Sequence, residues 1–377
     1  MNVLRKILVV ITLLMALPGS TCFAEGVDPD ALRLTLPKTA YAVVGAEMSV
    51  YFDNIVLSEN SDDLKFVVTS DLGKTEPKRW TVTATEADVG DHPWQVEVFR
   101  GDKSLGRKSM TLHVSPAKLS KPRNVSLLIV GDSLTNATHY PNEIAKRLDQ
   151  SGLTAWKMLG THRPTNAAPG VAHEGYGGWT WARFLNHYEP NPDPANRKRS
   201  SPFVYLDGEK PKLDIPRYFQ EACQGEKPDV IIIMLGINDC FGANPNSIEK
   251  TDETIDRVFQ SAESLLKAFQ EAAPEAEIGL CITTPANTRE SAFQANYKGS
   301  YSRWGWKRIQ HRLVERQLEQ FGGDRAKQNR IHLIPTELNL DPVNGFPVDN
   351  AVHPNPTGYQ QIGASIHAWL LSRLTSE

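Results

Sequence analysis

The stretch Leu127-Leu128-Ile129-Val130-Gly131-Asp132-Ser133-Leu134 joins a short apolar run to an abrupt polar end. The run is long enough for a strand buried on both faces and too short for a typical helix. Gly131 permits a sharp turn at little steric cost. Ser133 would then follow the carboxyl end of a strand, where ligands bind in open α/β sheets. Taken alone, however, Gly-Asp-Ser is more typical of an ordinary turn or helix cap than of a catalytic site.

The composition of the chain is that of a globular protein. Its 377 residues are 40% hydrophobic and 23% charged, which excludes a disordered chain and leaves room for one large domain or two ordinary ones. The formal net charge is -3. This balance provides no basic surface for nucleic acid or for an anionic membrane.

Residues 1–24 have the pattern of a cleaved secretory signal. Arg5 and Lys6 form a positive n-region, and Ile7–Leu17 forms an apolar h-region. The apolar run is shorter than the ~20 residues of a membrane-spanning helix. We therefore expect cleavage near Ala24, export to a periplasm or to the extracellular space, and no transmembrane segment in the mature chain.

Three cysteines remain after such a cleavage, Cys223, Cys240 and Cys281. Their spacing matches no metal site, and they allow at most one disulfide within the chain. Cys281 lies inside an apolar, strand-like run, so we expect it to be buried as a small hydrophobic residue.

Residues 25–118 are predicted to form a small all-β domain, an immunoglobulin-like β-sandwich. Short runs such as Leu64–Val68 and Trp94–Phe99 alternate apolar with polar residues, and Gly, Asp or Asn separates them. Ser115–Pro122 is typical of a linker, because two prolines bracket a polar, basic segment. No residue before it belongs to a catalytic pattern, so the predicted role of this domain is accessory.

Residues 119–377 alternate between predicted strands and helices. The expected strands are Ser126–Val130, Ala155–Leu159, Asp229–Leu235, Ile278–Ile282 and Ile331–Ile334. The expected helices are Tyr140–Gln150, Trp179–His187, Ser247–Ala273, Tyr301–Phe321 and Tyr359–Leu374. This order predicts an α/β domain whose parallel sheet is covered by helices on both faces. Residues 188–213, rich in Pro, Asn, Lys and Arg, are expected to form a surface insertion.

Polar residues follow these strands at the edge of the sheet where the carboxyl ends meet. Ser133 follows the first strand, Asn238 follows the third, and His353 precedes the last helix. A serine nucleophile needs a base, for which His353 is the candidate. It also needs donors for the developing oxyanion, which the Asn238 side chain and the Gly178 backbone could supply. Each residue alone also fits a turn, a cap or a hinge, but their joint placement favours a catalytic site.

Four blocks resemble, in order, those of the SGNH (GDSL) hydrolase family: Gly131-Asp132-Ser133-Leu134, Gly178, Gly236-Ile237-Asn238-Asp239 and His353-Pro354. The resemblance covers about residues 124–374. It implies a flavodoxin-like three-layer α/β/α sandwich and ester hydrolysis without a metal or an organic cofactor. It also implies that Ser133 is the nucleophile and His353 the general base. The implied oxyanion donors are the backbone of Ser133, Gly178 and Asn238.

The chain departs from this family at the acid of the triad. That acid usually lies three residues before the histidine, and here the position is Asn350, with Asp349 one residue earlier. We prefer Asp349 as the acid that orients His353, reached through a slightly different loop path. In the alternative, Asn350 or a backbone carbonyl orients His353 and leaves a Ser-His dyad.

The substrate is predicted from location and from aromatic residues. Export and an appended β-domain suit an extracellular polymer, and Trp179, Tyr301 and Trp304 could stack on sugar faces, although packing roles fit them as well. We predict a serine esterase that acts through an acyl-serine, preferably on O-acetyl groups of a carbohydrate. The alternatives are a lipid or general short-chain esterase or thioesterase, acyl transfer to a sugar, and an exported carbohydrate-binding protein with weak catalysis.

Overall fold

Two kinds of sheet lie on either side of the Ser115–Pro122 segment. The computed structural model describes residues 32–375, so the predicted signal at residues 1–24 lies outside the described residues. Before this segment the strands form two small sheets, and after it they form one parallel sheet with a separate hairpin. Each of the two regions has its own apolar cluster.

The N-terminal strands pack as a β-sandwich. They are β1 (Thr39–Val43), β2 (Glu47–Tyr51), β3 (Lys65–Ser70), β4 (Lys74–Thr75), β5 (Arg79–Thr83), β6 (Gly90–Arg100) and β7 (Lys103–Ser115), with one helical turn, α1 (Phe52–Ile55). The strand orders are β1-β7-β6-β3 and β2-β5-β4. Alternate residues of β6, such as Trp94 and Val96, point inwards, and the Trp94 ring meets Trp80 of β5 edge to face at 5.9 Å. The two sheets therefore share one apolar core.

The remaining elements build the α/β part of the chain. Its strands are β8 (Asn124–Gly131), β9 (Ala155–Leu159), β10 (Glu174–Gly175), β11 (Val204–Asp207), β12 (Lys210–Leu213), β13 (Val230–Met234), β14 (Glu277–Cys281) and β15 (Ile331–Ile334). Its helices are α2 (Ser133–Asn136), α3 (His139–Leu148), α4 (Trp181–Asn186), α5 (Ile215–Ala222), α6 (Ile237–Cys240), α7 (Ile248–Ala272), α8 (Glu290–Tyr297), α9 (Arg303–Phe321), α10 (Asp324–Gln328) and α11 (Pro356–Thr375).

The large sheet has the strand order β9-β8-β13-β14-β15, and all its pairs are parallel. The short β10 pairs with the carboxyl end of β8, beyond the region that β9 covers. Numbered along the chain this is the 2-1-3-4-5 order of flavodoxin-like folds. Helices α3 and α11 pack together on one face, and α7 packs with α4, α5 and α9 on the other. The predicted flavodoxin-like α/β/α sandwich is confirmed.

The region at residues 188–213 is more ordered than the sequence suggests. It contains the antiparallel hairpin β11–β12, and Phe203 before this hairpin is 0% exposed. The Phe203 ring contacts Tyr218 and Phe269 in the core of the α/β part. Most of the segment is exposed or partly exposed, as expected of a surface insertion, but one buried aromatic side chain anchors it.

The three cysteines of residues 32–375 form no disulfide. Cys223, Cys240 and Cys281 are all free and buried, and Cys281 lies in β14 as expected.

Within residues 32–375, no helix is at once long and apolar enough to cross a bilayer.

The chain after β15 joins the α/β part to the sandwich. Leu338 is 0% exposed and packs in the apolar cluster of the sandwich. The N–H of Tyr51 donates to the Leu338 carbonyl at 3.0 Å. The Asn54 amide donates to the carbonyls of Glu337 (2.7 Å) and Leu340 (2.8 Å). The two regions therefore form one body, and the boundary between residues 118 and 119 stays a prediction.

We expect Leu338→Ala to lower the free energy of unfolding by about 3 kcal/mol, because it leaves a cavity in the core of the sandwich. The measurement is urea denaturation followed by circular dichroism. Leu206→Ala, at a side chain 42% exposed in the hairpin, is the matched control and should change it by less than about 0.5 kcal/mol. Equal effects of the two substitutions would show that Leu338 does not hold the two regions together.

Candidate active site

Ser133 stands at a turn that only glycines permit. A Cβ added to Gly131, the last residue of β8, would lie 1.9 Å from Oγ1 of Thr135. A Cβ added to Gly175 of β10 would lie 2.4 Å from Cγ2 of the same threonine. Thr135 thus fills the space between the ends of β8 and β10. The chain turns into α2 directly after β8. The Asp132 carboxylate caps this helix, and Ser133 is its first residue.

The side chains of Ser133 and His353 meet across this edge of the sheet. The distance from His353 Nε2 to Ser133 Oγ is 2.8 Å. Both residues are partly buried, and burial lowers the pKa of His353 below its ordinary value. The imidazole is therefore neutral at neutral pH and can accept the proton of the hydroxyl.

Asn350 holds the other side of the imidazole. Its Oδ1 lies 3.2 Å from Nδ1 of His353 and accepts the backbone N–H groups of Val352 (3.2 Å) and His353 (3.0 Å). A backbone N–H can only donate, so the atom that faces both of them must be the amide oxygen. Nδ1 must then carry its proton, which leaves the lone pair of Nε2 towards Ser133.

This arrangement corrects the preference for Asp349. The side chain of Asp349 is exposed on the loop, and Asn350 lies against the imidazole in its place. The physical reason is a local turn: the Asn350 side chain folds back over the next backbone N–H groups, which directs the preceding residue outwards. The alternative that the sequence left open, with Asn350 as the partner of His353, matches the geometry.

A buried asparagine supports the loop that carries His353. Asn287 is 1% exposed, and its Nδ2 donates to the carbonyls of Pro347 (2.8 Å) and Asn350 (3.0 Å). Its own N–H donates to the carbonyl of Ala351 at 2.8 Å. These bonds fix the backbone that positions the imidazole.

The predicted oxyanion donors lie around one amide group. Nδ2 of Asn238, on α6, is 3.2 Å from the Trp179 carbonyl and 3.4 Å from Oδ2 of Asp132. Trp179 follows Gly178, and Asp132 precedes Ser133, so the amide is bonded to a sequence neighbour of each predicted backbone donor. Gly178 is exposed and has a φ of 76°, a conformation that favours glycine.

Two buried carboxyl groups lie beneath these donors. Burial raises the pKa of Asp132 to about 7, and the neighbouring Asp239 carboxylate adds to this shift. Burial also raises the pKa of Asp239 to about 7. Oδ1 of Asp239 accepts the N–H of Trp181 at 3.0 Å. The raised pKa values keep both carboxyl groups partly neutral at neutral pH. This limits the negative charge beside the donors, where a full charge would oppose a developing oxyanion.

Sequence reasoning missed Glu174, which supports the loop that leads to Gly178. Its buried carboxylate accepts the N–H of Thr161 (2.6 Å) and the hydroxyls of Tyr176 (2.5 Å) and Tyr218 (2.8 Å). The one available signal was an acidic residue between apolar residues and a glycine-rich stretch. Its partners are too distant in sequence for that signal to identify a role.

The three aromatic candidates occupy different places. Trp179 is 2% exposed and packs on the rings of Tyr176 and Phe184, so its predicted role as a sugar platform is wrong. Tyr301 is partly buried against the ring of Phe241, at 4.9 Å. Trp304 is partly buried and lines a cleft beside the β-sandwich.

The sequence matches the family of GDSL-like lipases and acylhydrolases over residues 129–361, and the chain belongs to this family. The matched span includes Ser133, Gly178, Asn238 and His353. The protein is therefore an SGNH-type hydrolase of carboxylic esters. The chain matches none of the curated proteins.

Several solved structures are similar to the chain. A family 3 carbohydrate esterase from Talaromyces cellulolyticus has 16% identity and a TM-score of 0.43, over 67% of this chain and 99% of that one. A family two carbohydrate esterase from Clostridium thermocellum, in complex with cellohexaose, has 14% identity and a TM-score of 0.36, over 89% and 94%. A lipase from a goat rumen metagenome has 15% identity and a TM-score of 0.35, over 65% and 96%.

We expect Asn350→Asp to raise the pKa of His353 by about 1 unit or more, because a carboxylate at Nδ1 stabilises the imidazolium. The protonated form would then persist to higher pH than in the unsubstituted protein. The measurement is an NMR titration of the His353 ring protons. Asp349→Asn, one residue away, is the control and should leave this pKa in place; the reverse pattern would restore Asp349 as the partner.

Proposed function

We propose that the protein is a serine esterase that removes O-acetyl groups from a carbohydrate polymer outside the cytoplasm. The observation that carries the chemistry is the 2.8 Å contact between Ser133 Oγ and His353 Nε2, with Nδ1 held by Asn350. This geometry provides a nucleophile and a base of the correct tautomer, the two groups that acyl transfer needs.

Acylation begins at Ser133. His353 Nε2 takes the hydroxyl proton while Oγ attacks the carbonyl carbon of the ester. The tetrahedral intermediate collapses, the bond to the alcohol oxygen breaks, and the imidazolium returns the proton to that oxygen. The alcohol leaves, and the acyl group remains on Ser133.

Deacylation repeats these steps with water. His353 Nε2 takes a proton from water, and the hydroxide oxygen attacks the acyl carbon. The bond to Ser133 Oγ breaks, Nε2 returns the proton to Oγ, and the carboxylic acid leaves. Asn350 is a positioning residue in both halves, because its Oδ1 accepts a hydrogen bond from Nδ1–H and stabilises the imidazolium only as a neutral dipole.

The oxyanion of both intermediates would be held by the backbone N–H groups of Ser133 and Gly178 and by Nδ2 of Asn238. The longer Asn238 bond, 3.4 Å to Asp132, is the weaker of its two and the one that the amide can exchange for a substrate oxygen. Donors fixed in advance cost little reorganisation when the charge develops.

A polymeric substrate is supported by the openness of this edge. Gly177 and Gly178 are exposed, and a Cβ added to either would meet no atom within 4 Å. An ester carried on a large alcohol can therefore approach the donors from outside. The predicted signal at residues 1–24 supports export to the place where such polymers occur.

A second candidate, a lipid or longer-chain esterase, is favoured by one observation. Val348 is 70% exposed on the loop that leads to His353, and Val343 is 41% exposed nearby in sequence. Apolar side chains at this position could contact an acyl chain. Comparing aryl acetate with aryl butyrate and octanoate distinguishes the two candidates, because an acetylesterase loses turnover as the acyl chain lengthens.

We expect Ser133→Ala to reduce acetate release from acetylated polysaccharides and from an aryl acetate by at least about 10³-fold, because it removes the nucleophile. Release of acetate is measured enzymatically, with acetylated xylan and glucomannan as polymers. Ser264→Ala, an exposed hydroxyl on α7, is the control. Equal turnover by Ser133→Ala would contradict the mechanism, and polymer binding without any ester hydrolysis by the unsubstituted protein would favour a binding protein.

We expect Asn238→Ala to lower kcat for the aryl acetate by about 10²- to 10³-fold with a small change in KM, because the oxyanion forms only along the reaction path. Steady-state kinetics give this split, and thermal unfolding checks that the protein stays folded. Asn246→Ala, at an exposed amide before α7, should leave kcat within about twofold. A rise in KM alone would place Asn238 in substrate binding and not in the oxyanion hole.

A further inference from the structure

A cleft of about 1620 Å³ lies between the β-sandwich and the α/β part of the chain. Its sandwich side includes Phe52, residues 57–64 and Phe66. Its other side includes Trp304 and residues 341–344. Ser133 and His353 do not line it, so the cleft is separate from the nucleophile and its base.

We propose that this cleft binds the neutral polysaccharide chain whose ester groups reach Ser133. This inference rests on the proposed function, and it assigns the β-sandwich a part in substrate binding.

The size of the cleft indicates a long ligand. Sites for single small molecules usually enclose about 300–1,000 Å³. A volume of about 1620 Å³ exceeds this range and suits several linked sugar rings better than one. The cleft is partly open to solvent, so a polymer can extend beyond it.

The aromatic residues of the cleft suit sugar faces. Trp304 is partly buried, so part of its indole is available to a ligand and the rest is held by the protein. Phe52 and Phe66 stack with their ring centroids 4.4 Å apart, and Phe66 also lines the cleft. A flat apolar ring packs well on the C–H face of a sugar while the hydroxyls of the sugar stay free for hydrogen bonds.

The charges of the cleft favour a neutral chain over an acidic one. The lining has six carboxylates and four basic side chains. Two acid–base pairs within the lining, Arg79 with Glu76 at 2.9 Å and Lys78 with Asp62, leave the excess of two carboxylates unchanged. Asp63 is an exposed carboxylate in the same lining. A polyanion would meet net repulsion here, whereas hydroxyl groups can donate to carboxylates.

The wall of the cleft is bonded to the loop that carries His353. The Asn355 amide donates to the Asn344 carbonyl at 2.7 Å. The N–H of Thr288 donates to the Pro342 carbonyl at 3.0 Å, and Asn287 beside it holds the carbonyl of Asn350. Ligand bound against residues 341–344 therefore lies next to the structure that positions the imidazole.

The test measures binding of the full chain to deacetylated glucomannan and to arabinoxylan by affinity electrophoresis and calorimetry. Trp304→Ala removes the indole, and Asp63→Arg places a long side chain in the cleft from an exposed turn. Each should weaken binding by about tenfold. Trp156→Ala, at a partly buried tryptophan on β9 outside the cleft, should change it by less than about twofold. Thermal unfolding confirms that each variant is folded.

Kinetics separate this inference from the proposed function. The ratio of kcat/KM for acetylated glucomannan to kcat/KM for an aryl acetate should fall about tenfold in Trp304→Ala and Asp63→Arg. If both variants keep this ratio and the affinity while Ser133 remains necessary for aryl acetate hydrolysis, the cleft inference is wrong and the esterase stands. The cleft inference is also overturned if the full chain binds neither of the two polymers. It is overturned as well if the chain binds only polygalacturonate, an acidic polysaccharide added to the binding test. If hydrolysis is absent but binding is lost in the variants, the cleft stands and the esterase does not.

Discussion

The packing of Thr135 between the ends of β8 and β10 is the contact on which the active-site edge depends. It leaves space for hydrogen only at Gly131 and Gly175, because any Cβ there would overlap the threonine side chain. The chain must therefore turn at the end of β8, and α2 must begin with Asp132 as its cap. This turn places Ser133 at the carboxyl end of β8, as the first residue of α2. From this position the Ser133 hydroxyl lies 2.8 Å from Nε2 of His353, which the loop before α11 carries.

A neutral partner for the histidine has electrostatic consequences. A carboxylate at Nδ1 stabilises the imidazolium by charge, whereas the Asn350 oxygen orients the ring as a dipole. Burial then acts without a compensating charge, and the pKa of His353 falls below its ordinary value. Burial also raises the pKa values of Asp132 and Asp239, which limits the negative charge near Ser133. The site is thus less negative than a Ser-His-Asp site, which suits a reaction whose intermediate is an oxyanion.

The β-sandwich is not an independent module on a tether. Leu338 packs into its core from the α/β part, and Lys307 of α9 forms an ion pair with Asp53 at 2.5 Å. Such contacts fix one region against the other on both sides of the cleft. A preformed cleft binds a chain at a lower entropic cost than a hinge that must close.

The sequence by itself determined the architecture and most of the chemistry. Apolar runs of strand length alternating with amphipathic segments predict the parallel sheet. The glycines that end two of those runs direct attention to Ser133 and Asn238, and the loop before the last helix supplies His353 as the candidate base. These features are local, because periodicity and turn chemistry act within a few residues. Only the tertiary structure decided which residue touches Nδ1 of His353, since Asp349 and Asn350 differ by one position and the turn of the loop selects between them. It also decided that Trp179 is buried, that Glu174 supports the Gly178 loop, and that Leu338 joins the two regions. Contacts between residues far apart in the chain leave no periodic signal, so these roles appear only when the folded chain brings their partners together.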